Sequence, residues 1–319
     1  MRLYVRRGGK RIRPQLAMWT YRHASDCASD DPAPALLDVA VAWELFHAFL
    51  LIHDDIIDGA DQRRASPSLH RQLEGLDSDS PRFGMNLGIV AGDLMYAASH
   101  RVLADLDVSA EAYRELHRLF AQVAALTGFG QAIDILQSHT PLGECDEQTL
   151  LREYHWKTAA YTFEGPMLSA AILAGLGTPA REAISRFALS LGQAYQLQND
   201  LIDLSRPASE GCDLVEGKRT ITLLRARAAM ASGARSDFDQ RVATIQRVPA
   251  ARGIALAETL RRDLLATDAV KRSQETIDDL LAESIQAAIA PAIPEPLRQA
   301  MQDLLCTLRR QYFASTANP

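Results

Sequence analysis

Residues 33–58 constrain the fold more than any other stretch of the chain. Val39, Val41, Trp43, Leu45, Phe46, Phe49, Leu50, Leu51 and Ile52 leave little of the helix surface polar. A helix that is apolar on most faces belongs at the centre of a helical assembly, because a surface helix would show one apolar stripe. The same segment ends abruptly in His53-Asp54-Asp55-Ile56-Ile57-Asp58. A buried helix that terminates in three carboxylates is an unusual object, and the rest of the chain is read around it.

The remaining sequence is also helical in pattern. Ala, Leu, Glu, Arg and Gln dominate and favour helix. Runs of alternating apolar and polar residues bounded by turn residues are missing. The spacing predicts helices over 14–26, 33–58, 82–106, 109–138, 146–175, 179–205, 219–232, 249–267, 270–289 and 294–313. Breaks fall at Asp31-Pro32, at 61–81 with Pro67, Gly75 and Pro81, at Thr140-Pro141, at Gly175 to Pro179, and at Arg206-Pro207. Gly and Pro supply the physical reason for each. No Pro/Gly/Ser-rich linker divides the chain, and no period of 20–50 residues repeats. The expectation is an all-α protein with a single helical domain spanning 1–319.

The chain has 319 residues, 47% of them hydrophobic, and a formal net charge of −6. A chain this long can bury roughly 75% of its unfolded surface. An acidic balance without a basic stripe speaks against nucleic acid as a partner. Cys27, Cys145, Cys212 and Cys306 are far apart and show no CxxC spacing, so they read as reduced thiols of a cytoplasmic protein. Arg2, Arg6, Arg7, Lys10, Arg11 and Arg13 are not followed by a signal-peptide pattern. No window of about 18 uninterrupted apolar residues occurs, and no membrane span is expected.

Asp54 and Asp58 stand at i and i+4 and share a helix face. Three carboxylates within five residues repel one another, at a helix end whose dipole also disfavours negative charge. A hard divalent cation such as Mg²⁺, with phosphate and water completing its shell, would relieve both penalties. A solvated acidic cap is the plain alternative. Gln198-Asn199-Asp200-Leu201-Ile202-Asp203 repeats the arrangement after a second apolar run, with Asn199 and Asp203 at i and i+4. Two such helix ends facing each other would form a multi-metal clamp.

Cationic segments accompany the acidic ones. Gly8-Gly9-Lys10-Arg11-Ile12-Arg13-Pro14 sets three cations beside flexible backbone that a diphosphate could approach, or forms a simple basic arm. Arg63-Arg64 follows the first acidic cluster, and Arg binds phosphate oxygens in pairs. Gly211-Cys212-Asp213-Leu214-Val215-Glu216-Gly217-Lys218-Arg219-Thr220 follows the second cluster and reads equally well as a polar loop.

The ordered set GGKRIRP, HDDIID, Arg63-Arg64, Lys157-Thr158, YQLQNDLID and GCDLVEGKRT resembles the trans-prenyl diphosphate synthases, or polyprenyl synthetases, over roughly residues 5–225. The resemblance implies an all-α bundle around a cavity, a homodimer, and three Mg²⁺ ions with diphosphate. It implies a head-to-tail condensation of isopentenyl diphosphate with a dimethylallyl, geranyl or farnesyl diphosphate. Asp54, Asp58, Asn199, Asp200 and Asp203 would be the metal residues, with Asp55 beside them. Lys10, Arg13, His47 and Arg64 would hold isopentenyl diphosphate; Arg63, Lys157 and Lys218 would hold the allylic diphosphate. Thr158 and Gln196 would lie near the developing allylic cation. His47 precedes Asp54 by about two turns and can share its face. Phe49 stands about 7.5 Å deeper than Asp54 along the helix. With Leu50 it would limit product length, pointing to geranylgeranyl diphosphate first and farnesyl diphosphate second.

Three features depart from that family's pattern. Asn199 stands where Asp is usual, Arg206 is offered where a further Lys is usual, and only seven residues precede Gly8, where most relatives carry an additional helix. The first two motivate an alternative reading as a non-catalytic subunit of a heteromeric synthase. A terpene cyclase is a third reading, since its second metal motif can begin Asn-Asp; Asp203 and Pro207 stand where that motif continues to Ser or Thr and then Glu.

Overall fold

The computed structural model describes residues 5, 8–25, 34–64, 66–76, 80, 82–210 and 213–313. Arg2, Arg6, Arg7, Cys27, Asp31-Pro32, Pro81, Gly211 and Cys212 lie outside the described residues. The all-α expectation holds. Among the described residues the only strands are β1 (Gln62–Arg63) and β2 (Ser66–Pro67), an antiparallel pair in the region read as a break. The chain divides into two compact units, Met1–Phe120 with Gly165–Leu176, and Ala121–Glu164 with Gly177–Pro319.

In the first unit, α1 (Ile12–Ala24) and α2 (Pro34–Ile57) precede the small β-pair and the short α3 (Leu69–Glu74). They are followed by α4 (Phe83–Ala104), the start of α5 (Ala110–His139), and later α7 (Gly165–Leu173). The apolar run dictates the packing: Leu36, Val39, Trp43, Phe46 and Ile52 of α2 are buried, and α2 packs chiefly on α4. Trp43 Nε1 donates to Ser169 Oγ at 3.0 Å, so the one polar atom of this buried indole is satisfied. A Cβ at Gly165 would lie 2.4 Å from the same ring, which is why α7 begins on glycine here.

In the second unit, α6 (Glu147–Glu153) runs into a π-helical segment, Tyr154–Glu164. Next come α8 (Thr178–Ser205), the short α9 (Asp213–Glu216), α10 (Ile221–Ala229), α11 (Ser232–Ile245), α12 (Ala250–Leu265), α13 (Asp268–Ala288) and α14 (Glu295–Gln311). Ile184, Phe187, Leu191 and Leu197 of α8 form the core spine, packed against the π-segment and α13. A Cβ at Gly192 would fall 2.3 Å from the Ala159 Cβ, so α8 and the π-segment meet at small residues. Trp156 lies on the π-segment, 6.4 Å from the Phe129 ring.

Two differences from the sequence reading have physical causes. The uniform helix expected over 146–175 contains the π-segment, where a widened turn typically marks a functional site. Helix α11 lies between the helices expected over 219–232 and 249–267, where none was expected: Phe238, Val242 and Ile245 recur at helical spacing and are buried, in a segment that is otherwise polar. Against the expectation of no such segment, α2 and α5 are long and apolar enough to cross a membrane by length and composition alone. A core helix passes the same test, and the buried residues of α2 fit that account.

Candidate active site

In the first unit the sequence motifs converge on the C-terminal end of α2. Asp55 is completely buried, and the Arg63 guanidinium reaches it through Nε at 2.6 Å and Nη2 at 2.5 Å. Arg63 Nη2 also lies 3.5 Å from Asp54 Oδ2. Burial pushes the Asp55 carboxyl upward while the Arg63 hydrogen bond opposes it. Asp55 therefore anchors Arg63, and Asp54 and Asp58 share the other face of the helix end, both half-buried.

The tip of the β-pair brings Arg64 to the glycine loop. Arg64 has φ 54, in the left-handed region, and its Nη1 donates to the Gly8 carbonyl. A Cβ at Gly9 would lie 2.8 Å from Arg64 Nη2, and Gly9 has φ 154, so a side chain here would both strain the backbone and push the guanidinium aside. Lys10 is exposed and Arg13 is buried, while Arg11 pairs with Glu44 of α2. His47, two turns below Asp54, is held well below the usual histidine range, first by burial and then by Arg13, Arg64, Arg63 and Arg11. That all four arginines act on His47 in the same sense marks a region of positive potential that favours an anion.

Below the acidic end, Phe49 contacts Phe46 and Tyr96 with ring centroids 5.6 and 5.1 Å away. Tyr96, His100 and Phe120 continue the aromatic column through centroid distances of 4.6 and 5.1 Å. Leu50, beside Phe49, is half-buried.

The second unit carries its own constellation. Lys157 Nζ pairs with Asp134 of α5, and Lys218 Nζ lies 2.6 Å from Glu216 and 3.5 Å from Asp213. Thr158 Oγ1 donates to Gln196 Oε1 at 2.9 Å, and Gln196 Nε2 donates to Asp200 Oδ1 at 2.8 Å. The Tyr154 hydroxyl donates to the other oxygen of Asp200. Asp200 is thus engaged on both oxygens, and Asn199 and Asp203 occupy a different face of α8. Burial pushes Asp200 up to about 8 and Asp213 up to about 6, with the neighbouring Asp213 and Asp203 carboxylates adding repulsion. Asp203, which accepts from the Asp213 backbone N–H at 2.9 Å, is raised for the same first reason. A divalent cation would relieve this crowding of carboxylates.

The donor chemistry fits Mg²⁺: hard oxygens, two at a time on one helix face, at each acidic motif. Among the described residues no three His, Cys, Asp or Glu side chains form a ready-made metal cluster, so diphosphate and water oxygens would have to complete either shell.

Asp134, Glu153, Tyr154, Tyr96 and His100 are functional candidates that the motifs did not single out. Two signals were available. Gly128 and Gly130 interrupt a helical pattern, which usually has a packing reason; a Cβ at Gly130 would meet the Lys157 backbone nitrogen at 2.3 Å. Glu153 stands four residues before Lys157 and is buried, with its carboxyl pushed far upward by burial and by Asp134.

The sequence and the fold both have relatives. A geranylfarnesyl diphosphate synthase of Natronomonas pharaonis is 32% identical over 238 residues, 69% of this chain and 65% of that protein. A short chain isoprenyl diphosphate synthase of Methanocaldococcus jannaschii is 31% identical over 225 residues, covering 69% of this chain and 62% of that one. The chain thus spans just under two thirds of the length of both. The crystal structure of a geranylgeranyl pyrophosphate synthase from Corynebacterium glutamicum, complexed with isoprenyl diphosphate and magnesium, superposes with a TM-score of 0.82 at 29% identity. That match covers 97% of this chain and 88% of the other. The polyprenyl synthetase profile matches residues 1–250, well over half of the sequence, and includes both acidic motifs and the cationic segments around them: the chain belongs to the polyprenyl synthetase family.

Proposed function

We propose that this chain is a Mg²⁺-dependent prenyltransferase that condenses isopentenyl diphosphate head to tail with an allylic diphosphate. The observation that carries the proposal is the gathering of cations at the acidic end of α2, where Arg63 lies on Asp55 and 3.5 Å from Asp54 and Arg64 is held at the Gly8 carbonyl. Such a site has anion-binding and cation-binding halves side by side, as a metal–diphosphate substrate requires. Lys10, Arg13, His47 and Arg64 hold the diphosphate of isopentenyl diphosphate. Arg63, Lys157 and Lys218 hold that of the allylic substrate.

Three Mg²⁺ ions, when bound, neutralise charge on the allylic diphosphate and make it a better leaving group. Asp54 and Asp58 are the proposed ligands from the first motif, and Asn199 and Asp203 from the second, with Asp200 bracing Gln196 and Tyr154. The allylic C–O bond breaks, and the isopentenyl double bond supplies the electron pair for the new C–C bond. A proton leaves to the released diphosphate. Lys157 and Lys218 stabilise charge that grows on the departing oxygen. Thr158 and Gln196, already hydrogen-bonded to each other, present polar oxygens toward the developing cation. Water has to be kept from it, because water would trap the cation.

Phe49 is the proposed floor of the product tunnel, giving geranylgeranyl diphosphate, with farnesyl diphosphate the next candidate. A homodimer is proposed from an exposed apolar stripe on α4, where Leu87, Val90 and Leu94 are 36%, 52% and 52% exposed at helical spacing. A cytoplasmic location fits the free thiols of Cys145 and Cys306. The non-catalytic and cyclase readings find less support, since the isopentenyl-binding loop and first metal motif are both present.

The test is elongation by the pure protein with isopentenyl diphosphate, Mg²⁺ and dimethylallyl, geranyl or farnesyl diphosphate, read by mass spectrometry. A C20 diphosphate is expected. No elongation from any primer overturns the synthase reading, and a cyclic hydrocarbon from one allylic substrate would establish the cyclase.

A further inference from the structure

Asn199 is a neutral side chain at the head of the second acidic motif, and the structure shows what it touches. Tyr312, the residue that caps α14, donates its hydroxyl to Asn199 Oδ1. The Tyr312 ring lies flat on Tyr195, with centroids 4.9 Å apart and planes at 15°. Tyr195 precedes Asn199 by one helical turn on α8, so Tyr312 covers two successive positions of that face. Tyr195 is in turn set against Phe163 of the π-segment at 5.3 Å. The next residue, Phe313, is buried and packs edge-on against Tyr312 at 5.2 Å.

We propose that Tyr312 straps the C-terminal end of α14 onto Asn199, so that a divalent cation entering the second motif competes with the Tyr312 hydroxyl for the Asn199 oxygen. An aspartate at this position would offer two anionic oxygens and could keep a hydrogen bond while binding a metal. An amide offers one neutral oxygen, and a phenol donating to it withdraws the electron density a cation needs. Cation entry and strap release are then two sides of one equilibrium, and each changes the other by the same factor. Asn199 and Tyr312 thus form a pair: the strap lowers the motif's affinity for a cation, and diphosphate oxygens that complete the cation's shell supply the binding energy that opens it. This inference rests on the proposed Mg²⁺ site, but its readouts do not require turnover.

The test uses the full chain with Mg²⁺ and inorganic pyrophosphate. Hydrogen exchange of residues 308–313 in the wild type should rise when both are added and stay low with either alone. Tyr312→Phe keeps the stacked ring and loses the hydroxyl. It should exchange rapidly without ligand and, by calorimetry at fixed pyrophosphate, bind Mg²⁺ about 5-fold more tightly, within the usual range of coupling between sites. Unchanged or slower exchange on ligand addition overturns the strap, as does an unaltered or weaker Mg²⁺ midpoint in a Tyr312→Phe protein that melts like wild type. A wild-type protein that opens with Mg²⁺ and pyrophosphate yet elongates no primer would sink the synthase reading and leave the strap standing.

Discussion

At the scale of single residues, the site is a contest between burial and charge. His47 stays neutral first because folding buries it and then because the charges of Arg13, Arg64, Arg63 and Arg11 disfavour a proton there. Its folded pKa lies below the unfolded value near 6.5, so below that pH the unfolded chain takes up a proton that the folded chain refuses. Stability is therefore full above pH 6.5 and falls by about 1.4 kcal/mol per pH unit below it. His70 and His100 are shifted in the same direction, so the measurement is a difference: urea unfolding at pH 5.5 and 7.5 should show a shallower loss in His47→Gln than in wild type. Phe49 is the second residue to test. Phe49→Ala removes a ring that touches Phe46 and Tyr96 and should lengthen the product by at least one C5 unit. Products of unchanged length, by mass spectrometry, would remove Phe49 as the floor. The carboxylates of the candidate site were legible from their helical spacing, and its cations from the glycines and acidic residues beside them in the sequence. Asp134, Tyr96 and His100 were not, because each lies on a distant helix and gains its meaning only from what folding sets beside it.

At the scale of elements, the π-segment and α5 are locked by glycine. Gly130 leaves room for the Lys157 backbone, and Gly192 does the same for Ala159. Gly130→Ala would overpack this contact and should cost about 1–3 kcal/mol in chemical denaturation. If Lys157 stabilises charge that develops late, as proposed, the substitution should also lower kcat more than it raises KM, because Lys157 would be displaced. A kcat equal to wild type would show that the Lys157 backbone tolerates the shift. The helices themselves were readable from apolar spacing and from Gly and Pro breaks. The π-segment was not, since its sequence is an ordinary helical one and the widening is set by packing against α8. Helix α11 was missed because three buried apolar residues in 14 do not dominate a polar window.

At the scale of the whole molecule, the apolar stripe on α4 asks for a covering surface. Patches of this kind on a chain of ordinary charge mark association sites. Val90→Glu with Leu94→Glu should convert the proposed dimer to a monomer by light scattering, with the helical circular dichroism signal retained; an unaltered mass would place the interface elsewhere. The tryptophans give a further consequence. Trp43 is sealed in the core of the first unit, and Trp156 sits beside Lys157 in the second, near Phe129 and Arg152. Replacing Trp156 would leave Trp19 and Trp43, both in the first unit, as its optical probe, and replacing those two together would leave Trp156 as the probe of the second. The order in which the two halves melt, and which of them responds first when pyrophosphate is added, could then be read from fluorescence without any label.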